Sequence, residues 1–564
     1  MKSLNNDPIA HSELIELQEE LLKETIVELR EGWGKFTPEM KKYYREFKKE
    51  TNYFSRNSDV DELIEKILKS DIVYSGDYHT LGQSQNAHLK LLSETIRRKE
   101  EVIIGMEMVY IEDQNHLDEY LKGDIDENDF LIKSKYDEKW GFNWENYKPI
   151  LDLAKENNLK VIGLNYPAFQ VPNPLFVRDK KASELISKIS IENPEKLIFV
   201  IFGDMHITSS HLPRQVKLEL EKKKVSRKDL IIYQNIDEVY FKLVKENLEN
   251  NVDVVMLKRR VFSILNTTPF IKYQSRIHWR ENIDYYHCKF YDIGIDKCTC
   301  GDTIVFEEEI QELLRSVTKY FNISKDNLPD FESYTYDSKI LFDRIREAGI
   351  DMKTIKMKLK IHDSFYISDP PIICLGRPNT NHMTEQASIY LYYCNSLFDE
   401  DKLTPIDLYF ARIIINALGF LGSKIINPKR KCSRLKDFEL FNLKYKGKRL
   451  KGKLYKQKIV ARNIFKHYEL LLSILKSKKR NNRGFSNLAN KDQMTAGLLS
   501  KCIGQILGEN IFYSILQELI SKEEIRKLFF NDFDIPGVSF MEYIDLENNV
   551  KSVNIPFQSK DERF

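Results

Sequence analysis

Between residues 60 and 245 the chain alternates between two hydrophobic periods. Short, continuously apolar runs recur: DIVYS (71–75), EVIIGM (101–106), LKVIGL (159–164), KLIFVIF (196–202) and DLIIYQ (229–234). Between them lie longer stretches with apolar residues three and four positions apart, such as SQNAHLKLLSETIRRKEE and ENYKPILDLAKENN. The first pattern predicts buried strands and the second predicts amphipathic helices. Alternation of the two implies an α/β domain, with a parallel sheet flanked by helices on both faces. The run FSILNTTPFIKYQSRIHW (262–279) keeps a strand-then-turn character, so residues 246–300 are expected to extend this domain. Residues 1–59 are expected to form an N-terminal helical extension, and 301–564 a mainly helical domain with some strand.

The polar residues that interrupt this pattern fall at the strand exits. Gly76-Asp77-Tyr78-His79 follows the first run, Glu107 ends the second, Asn165 ends the third, and Gly203-Asp204-Met205-His206 follows the fourth. In open parallel sheets the carboxyl edge is where ligands bind. The two GDxH turns are therefore expected to face one crevice, shared with Glu107 and Asn165. For a single such turn, an Asp bonding its own backbone is the plainer explanation. His88 lies one turn from Leu91 and Leu92, where a core histidine is as reasonable as a site residue. Thr80 and Gln83 have the spacing of a helix cap.

The chain has 564 residues, 42% hydrophobic and 30% charged, with a net charge of +2. That length calls for more than one core, and the overall charge makes no case for nucleic acid or membrane. Residues 424–483 are the exception, with about twenty Lys or Arg against three acids and with Phe441, Tyr445, Tyr455 and Phe465 interleaved. They are a candidate surface for an anionic partner, although a solvated basic face explains them equally. The first 33 residues read as a charged amphipathic helix, without a signal core or lipobox-type Cys, so a cytoplasmic location is expected. The apolar run 406–426 is interrupted by Arg412, Asn416 and Lys424, which suits a buried helix better than a transmembrane segment. His287, Cys288, Cys298 and Cys300 cluster in sequence but lack the usual zinc spacing. His382 and Glu385 lie one turn apart, and helix-start polarity is the simpler account of them.

The run SGDYHT…NAH…IIGMEMV…LDEYLKGDIDENDF…EKWGFNWENYKPILDLAKENNLKVIGLN…FVIFGDMHI…LP resembles the ChaN-like haem-uptake proteins of the Tiki superfamily, which also includes erythromycin esterases and Tiki-type metalloproteases. The most specific part is Trp140, Gly141, Phe142, Trp144, Tyr147, Pro149 and Leu151. The resemblance implies a parallel α/β sheet with a haem or metal at the crevice. This chain differs from the uptake proteins in lacking an export signal, in the gap between His79 and His88, and in reading HITSSHLP where they usually carry Tyr-Gly before Pro.

Two chemistries follow for a small-molecule ligand. As a binding site, the crevice would take non-covalent haem, with His206 or His211 on the iron, Tyr78 and Tyr110 flanking, and Arg214 on a propionate. As a hydrolase, His79, Glu107 and His206 would hold a divalent metal (Mn, Zn or Co) or act directly as acid and base, with Asp77, Asn165 and Asp204 supporting them. A third possibility is a non-enzymatic module whose basic C-terminal half binds an anionic partner.

Overall fold

The computed structural model describes residues 9–32, 36–99, 101–168, 171–290, 306–324, 328–336, 338–362, 364–376, 378–477 and 482–564. The chain divides into two compact units, Glu24–Asp292 with Arg563–Phe564, and Met1–Lys23 with Ile293–Glu562.

The first unit is the α/β domain. Its early elements are α1 (Ile9–Gly32, which begins in the other unit), α2 (Pro38–Thr51), β1 (Arg56–Ser58), α3 (Val60–Leu68), β2 (Ile72–Asp77), α4 (Gly82–Arg98) and β3 (Val102–Tyr110). Next come α5 (Gln114–Lys122), α6 (Glu127–Lys133), α7 (Tyr136–Lys139), α8 (Trp144–Glu156), β4 (Lys160–Asn165), α9 (Pro174–Glu192) and β5 (Leu197–Gly203). The unit continues through α10 (Leu212–Lys222), β6 (Asp229–Gln234), α11 (Asp237–Lys245), β7 (Val254–Lys258), β8 (Val261–Ile264) and α12 (Pro269–Phe290).

The eight strands form one sheet in the order β1-β7-β8-β6-β2-β5-β3-β4. From β8 to β4 every pairing is parallel, and only β7 pairs antiparallel, with β1 and β8. Every residue of β2, β3 and β5 is buried, which is why they read as unbroken apolar runs rather than alternating ones. These three strands are adjacent at the centre, and Asp77 of β2 sits opposite Gly203 of β5. The pairing of β3 with β4 shifts register between Met106 and Tyr110, and Glu107, expected to end its strand, lies inside this irregular stretch because β3 continues to Tyr110.

The unit reaches beyond the 60–245 frame at both ends. β1 and α2 precede residue 60, and β7, β8 and α12 lie within 246–300. The last two residues return to this core: Phe564 is buried, Lys90 Nζ lies 5.0 Å over its ring, and Arg563 Nε lies 3.4 Å from Asp253. Thr80 does not cap α4; its hydroxyl bonds Ser275 Oγ at 2.9 Å, and Leu81 takes the cap position without a side-chain bond. Cys298, Cys300 and the side chains of His287 and Cys288 lie outside the described residues.

The second unit is mainly helical, with a three-stranded sheet of β9 (Glu332–Thr335), β10 (Ser364–Ser368) and β11 (Pro371–Leu375) in the order β10-β11-β9. The Pro405–Ile426 helix is long and apolar enough to cross a membrane, but 94% of its most apolar window is buried inside the protein. Its Lys424 lies 3.4 Å from Glu509, which also pairs with Arg434 at 2.6 Å. Glu385 is held by the Arg430 guanidinium, and the His382 backbone N–H donates to the Asn379 cap, so this pair is structural.

Candidate functional site

The carboxyl ends of β2, β5 and β3 converge on Gly203. A Cβ placed there would lie 3.4 Å from Glu107 Oε2, 3.4 Å from His79 Nε2 and 3.5 Å from His206 Cδ2. The imidazoles of the two GDxH turns and the Glu107 carboxylate therefore approach one point. The missing side chain at Gly203 is what leaves that point open.

The two histidines are wired differently. His79 Nδ1 lies 2.9 Å from Asp77 Oδ2, two residues earlier in its own turn. Asp77 is buried and also accepts from Tyr147 OH at 2.7 Å, Gln85 Nε2 at 2.5 Å and Ser84 Oγ at 3.2 Å. His88 Nε2 lies 3.4 Å from the same carboxylate, while its Nδ1 faces Ser75 Oγ at 2.9 Å. Burial alone would push the Asp77 carboxyl up, but the bonds and charges of His79 and His88 hold it well below the usual range. His79 is pulled down by burial and raised overall by Asp77 and then Glu107. With its Nδ1 proton committed to Asp77, His79 presents Nε2 to Glu107 Oε2 at 3.8 Å.

His206 does not use the Asp of its own turn. Its Nδ1 lies 2.5 Å from Oδ1 of Asp179, on α9, whose Oδ2 accepts from Tyr43 OH of α2 at 2.7 Å. Asp204, expected to orient an imidazole, instead has a buried Oδ1 with no hydrogen-bond partner. Burial pushes its carboxyl up to about 7, against the pull of Lys272. Its position explains Gly76, where a Cβ would lie 1.9 Å from Asp204 Oδ1. Asn165 is also occupied locally, its Oδ1 accepting from the Tyr166 N–H at 2.9 Å.

Glu107 accepts from the Gly203 N–H at 2.7 Å through Oε2, and its Oε1 faces Arg178 at 3.6 Å. Arg178 and Asp179 are site residues that sequence reasoning missed. One signal was present: the buried stripe of α9 runs Asp179, Ala182, Ser183, Ile186, Ser187, so an acid opens an inward face of small and apolar residues.

The tryptophan segment builds the wall beside His79. Trp140 meets the imidazole edge-on at 4.6 Å between centroids, and Phe142 is tilted against it at 5.0 Å. Trp279 of α12 stacks on Phe142 at 4.8 Å and donates to the Gly141 carbonyl at 2.7 Å. Tyr147 of the same segment supplies the bond to Asp77 already described.

The residues expected to hold haem are engaged elsewhere. His211 stacks on Tyr43 at 3.6 Å with Nε2 3.0 Å from Glu46, and burial pushes its imidazole down. Tyr78 lies under Lys272 Nζ at 5.6 Å, Tyr110 donates to the Lys139 carbonyl at 3.1 Å, and Arg214 is exposed on α10. His206 itself is buried. A divalent metal does not fit the donor set either: among the described residues no three His, Cys, Asp or Glu are grouped to hold an ion. Both Glu107 oxygens already face Gly203 and Arg178. For haem the fitting position is His79, whose side chain is 24% exposed and stands against Trp140 and Phe142.

Residues 63–172 match the family described as haem-binding uptake, Tiki superfamily, ChaN. That stretch carries His79, Glu107 and the tryptophan segment, so the likeness to the ChaN branch holds there; His206 lies beyond it. No curated protein matches the chain. Among solved structures, the one titled cofacial heme binding to ChaN of Campylobacter jejuni is 15% identical, over 31% of this chain and 86% of that one, with a TM-score of 0.24. The type III effector HopBA1 is 13% identical, over 38% of this chain and 97% of that one, with a TM-score of 0.27.

Proposed function

We propose that the α/β unit is an acid–base hydrolase acting on an ester or amide of a small molecule. The observation that carries this reading is the convergence of His79, Glu107 and His206 on the open point at Gly203, with each imidazole Nδ1 held by a buried aspartate. His79 takes a proton from water at Nε2, and the hydroxide formed attacks the carbonyl carbon. Glu107, fixed by the Gly203 amide and Arg178, positions that water. Arg178 offers a cation to the oxygen on which negative charge develops. His206, whose Cδ2 comes within 3.5 Å of a Cβ built on Gly203, would in its doubly protonated form pass the Nε2 proton to the leaving group.

The test is turnover of p-nitrophenyl acetate and a panel of aryl amides by the full chain. Loss in His79→Ala, His206→Ala and Glu107→Gln, each with unchanged circular dichroism, supports the reading. Equal turnover in the three variants and the parent sinks it.

A second reading, haem binding, is favoured by the family match and by the aromatic wall at His79. His79 would hold the iron, and Trp140 and Phe142 would flank the ring. Haem, when bound, supplies a redox-active iron centre for transfer or sensing. A Soret band on haem titration that is lost in His79→Ala and kept in His211→Ala would favour this reading over hydrolysis.

A further inference from the structure

Two consecutive helices of the second unit, Leu435–Lys444 and Gly452–Ser477, pack against each other as a hairpin. Residues 440–468 carry ten Lys or Arg and no Asp or Glu. Charge of one sign at this density needs an external counter-charge or full hydration. The exposed face is not simply a hydrated one, however. Leu443 is 59% exposed, Tyr455 53%, Leu440 43% and Leu454 40%. These residues lie among the exposed Lys444, Lys446, Lys448, Arg449 and Lys456. The buried face of the long helix is built separately, from Val460, Ala461, Ile464 and Leu471, so the exposed leucines are surplus to the core.

We infer that the tip of this hairpin docks on an anionic lipid bilayer. Basic residues flanking exposed leucine and tyrosine match the composition of helices that lie in a membrane interface. There the lysines meet lipid phosphates and carboxylates while the apolar side chains enter the headgroup–acyl boundary. Long lysine stems allow the apolar side chains to sink while the ammonium groups stay at headgroup level. Nucleic acid would satisfy the charges but has no place for the aliphatic leucines, since its affinity comes from phosphate contacts and aromatic stacking. The leucines therefore decide between the two classes of partner.

The full chain would be sedimented with vesicles of phosphatidylcholine alone and with vesicles containing phosphatidylserine. Binding to the second and not the first is expected, falling about tenfold between low and high salt. Two exposed variants, Leu443→Ser with Leu454→Ser and Lys446→Glu with Lys448→Glu, are each expected to weaken it about tenfold or more with circular dichroism unchanged. Binding that survives the serine variant overturns the inference, as does tighter binding to single-stranded RNA or duplex DNA than to the anionic vesicles. Binding to neither vesicle overturns it as well.

Discussion

The turns at 76–79 and 203–206 have the same spelling, Gly-Asp-x-His, and opposite wiring. In the first, Asp77 holds His79 and is itself held by Tyr147, Gln85 and Ser84. In the second, the local aspartate is left with an unbonded buried oxygen, and a helix donates Asp179 to do the same work. A short motif fixes where an imidazole is aimed, because a strand exit has one direction. It does not fix which carboxylate meets the ring, because that depends on which helix crosses above. The first aspartate is a hub, and the second is a buried acid whose carboxyl burial pushes up to about 7.

The strongest break of this comparison is removal of the hub. Asp77→Ala leaves the buried Tyr147, Gln85, Ser84 and His88, and the partly exposed His79, without this carboxylate, so unfolding in urea should show a loss of about 3–5 kcal/mol. Asp204→Ala should cost less than about 1 kcal/mol, since its Oδ1 has no hydrogen bond to lose and the bond its carboxylate takes from the Gln234 backbone is offset by relief of a buried charge. Equal losses would erase the distinction.

Asparagine substitutions sharpen it at the level of turnover. Asp179→Asn removes the carboxylate that fixes the His206 tautomer, and a fall of about a hundredfold in kcat is expected. Asp204→Asn should stay within about twofold.

The pH dependence separates the two acids further. Asp204 titrates near 7 folded against an ordinary 3.8, so the folded protein keeps a proton that the unfolded chain releases. Its destabilising contribution therefore grows between those two pH values and is constant above them. Thermal melts of Asp204→Asn and the parent should diverge over that window, with the variant more stable at pH 8. His79 acts in the opposite sense: its raised value stabilises the fold below the ordinary 6.5, an advantage lost as pH rises through the raised value. If His79 is the base, the acid limb of the rate profile tracks that raised value, and Asp77→Asn should move it to lower pH.

The smallest effect is expected at His211, which faces Tyr43 and Glu46 rather than Gly203. His211→Phe should keep turnover and haem affinity within about twofold. A larger loss would return His211 to the site.

The parallel strands and their flanking helices were legible because apolar continuity marks buried strands and helical spacing marks the cover, and the polar residues that interrupt those runs pointed to the edge that His79, Glu107 and His206 approach. Asn165 obeyed the same rule of position and turned out to serve its own turn, so position at the edge is necessary and insufficient. Asp179 and Arg178 were illegible as partners because α9 is brought over the edge by packing, and nothing local to FVRDK specifies its crossing. The tryptophan segment was legible as a family marker only. Its physical role, walling His79 and delivering Tyr147 to Asp77, appears once α8 and α12 are packed.

Gly203 carries a consequence for how such a domain diverges. A methyl group there would make ordinary van der Waals contact with all three converging side chains and strain nothing in the backbone. The fold would be inherited intact while the point that His79, Glu107 and His206 share was filled. On the hydrolase proposal, one carbon would separate an active edge from an inert scaffold, because Gly203→Ala fills the shared point while leaving every charged group in place.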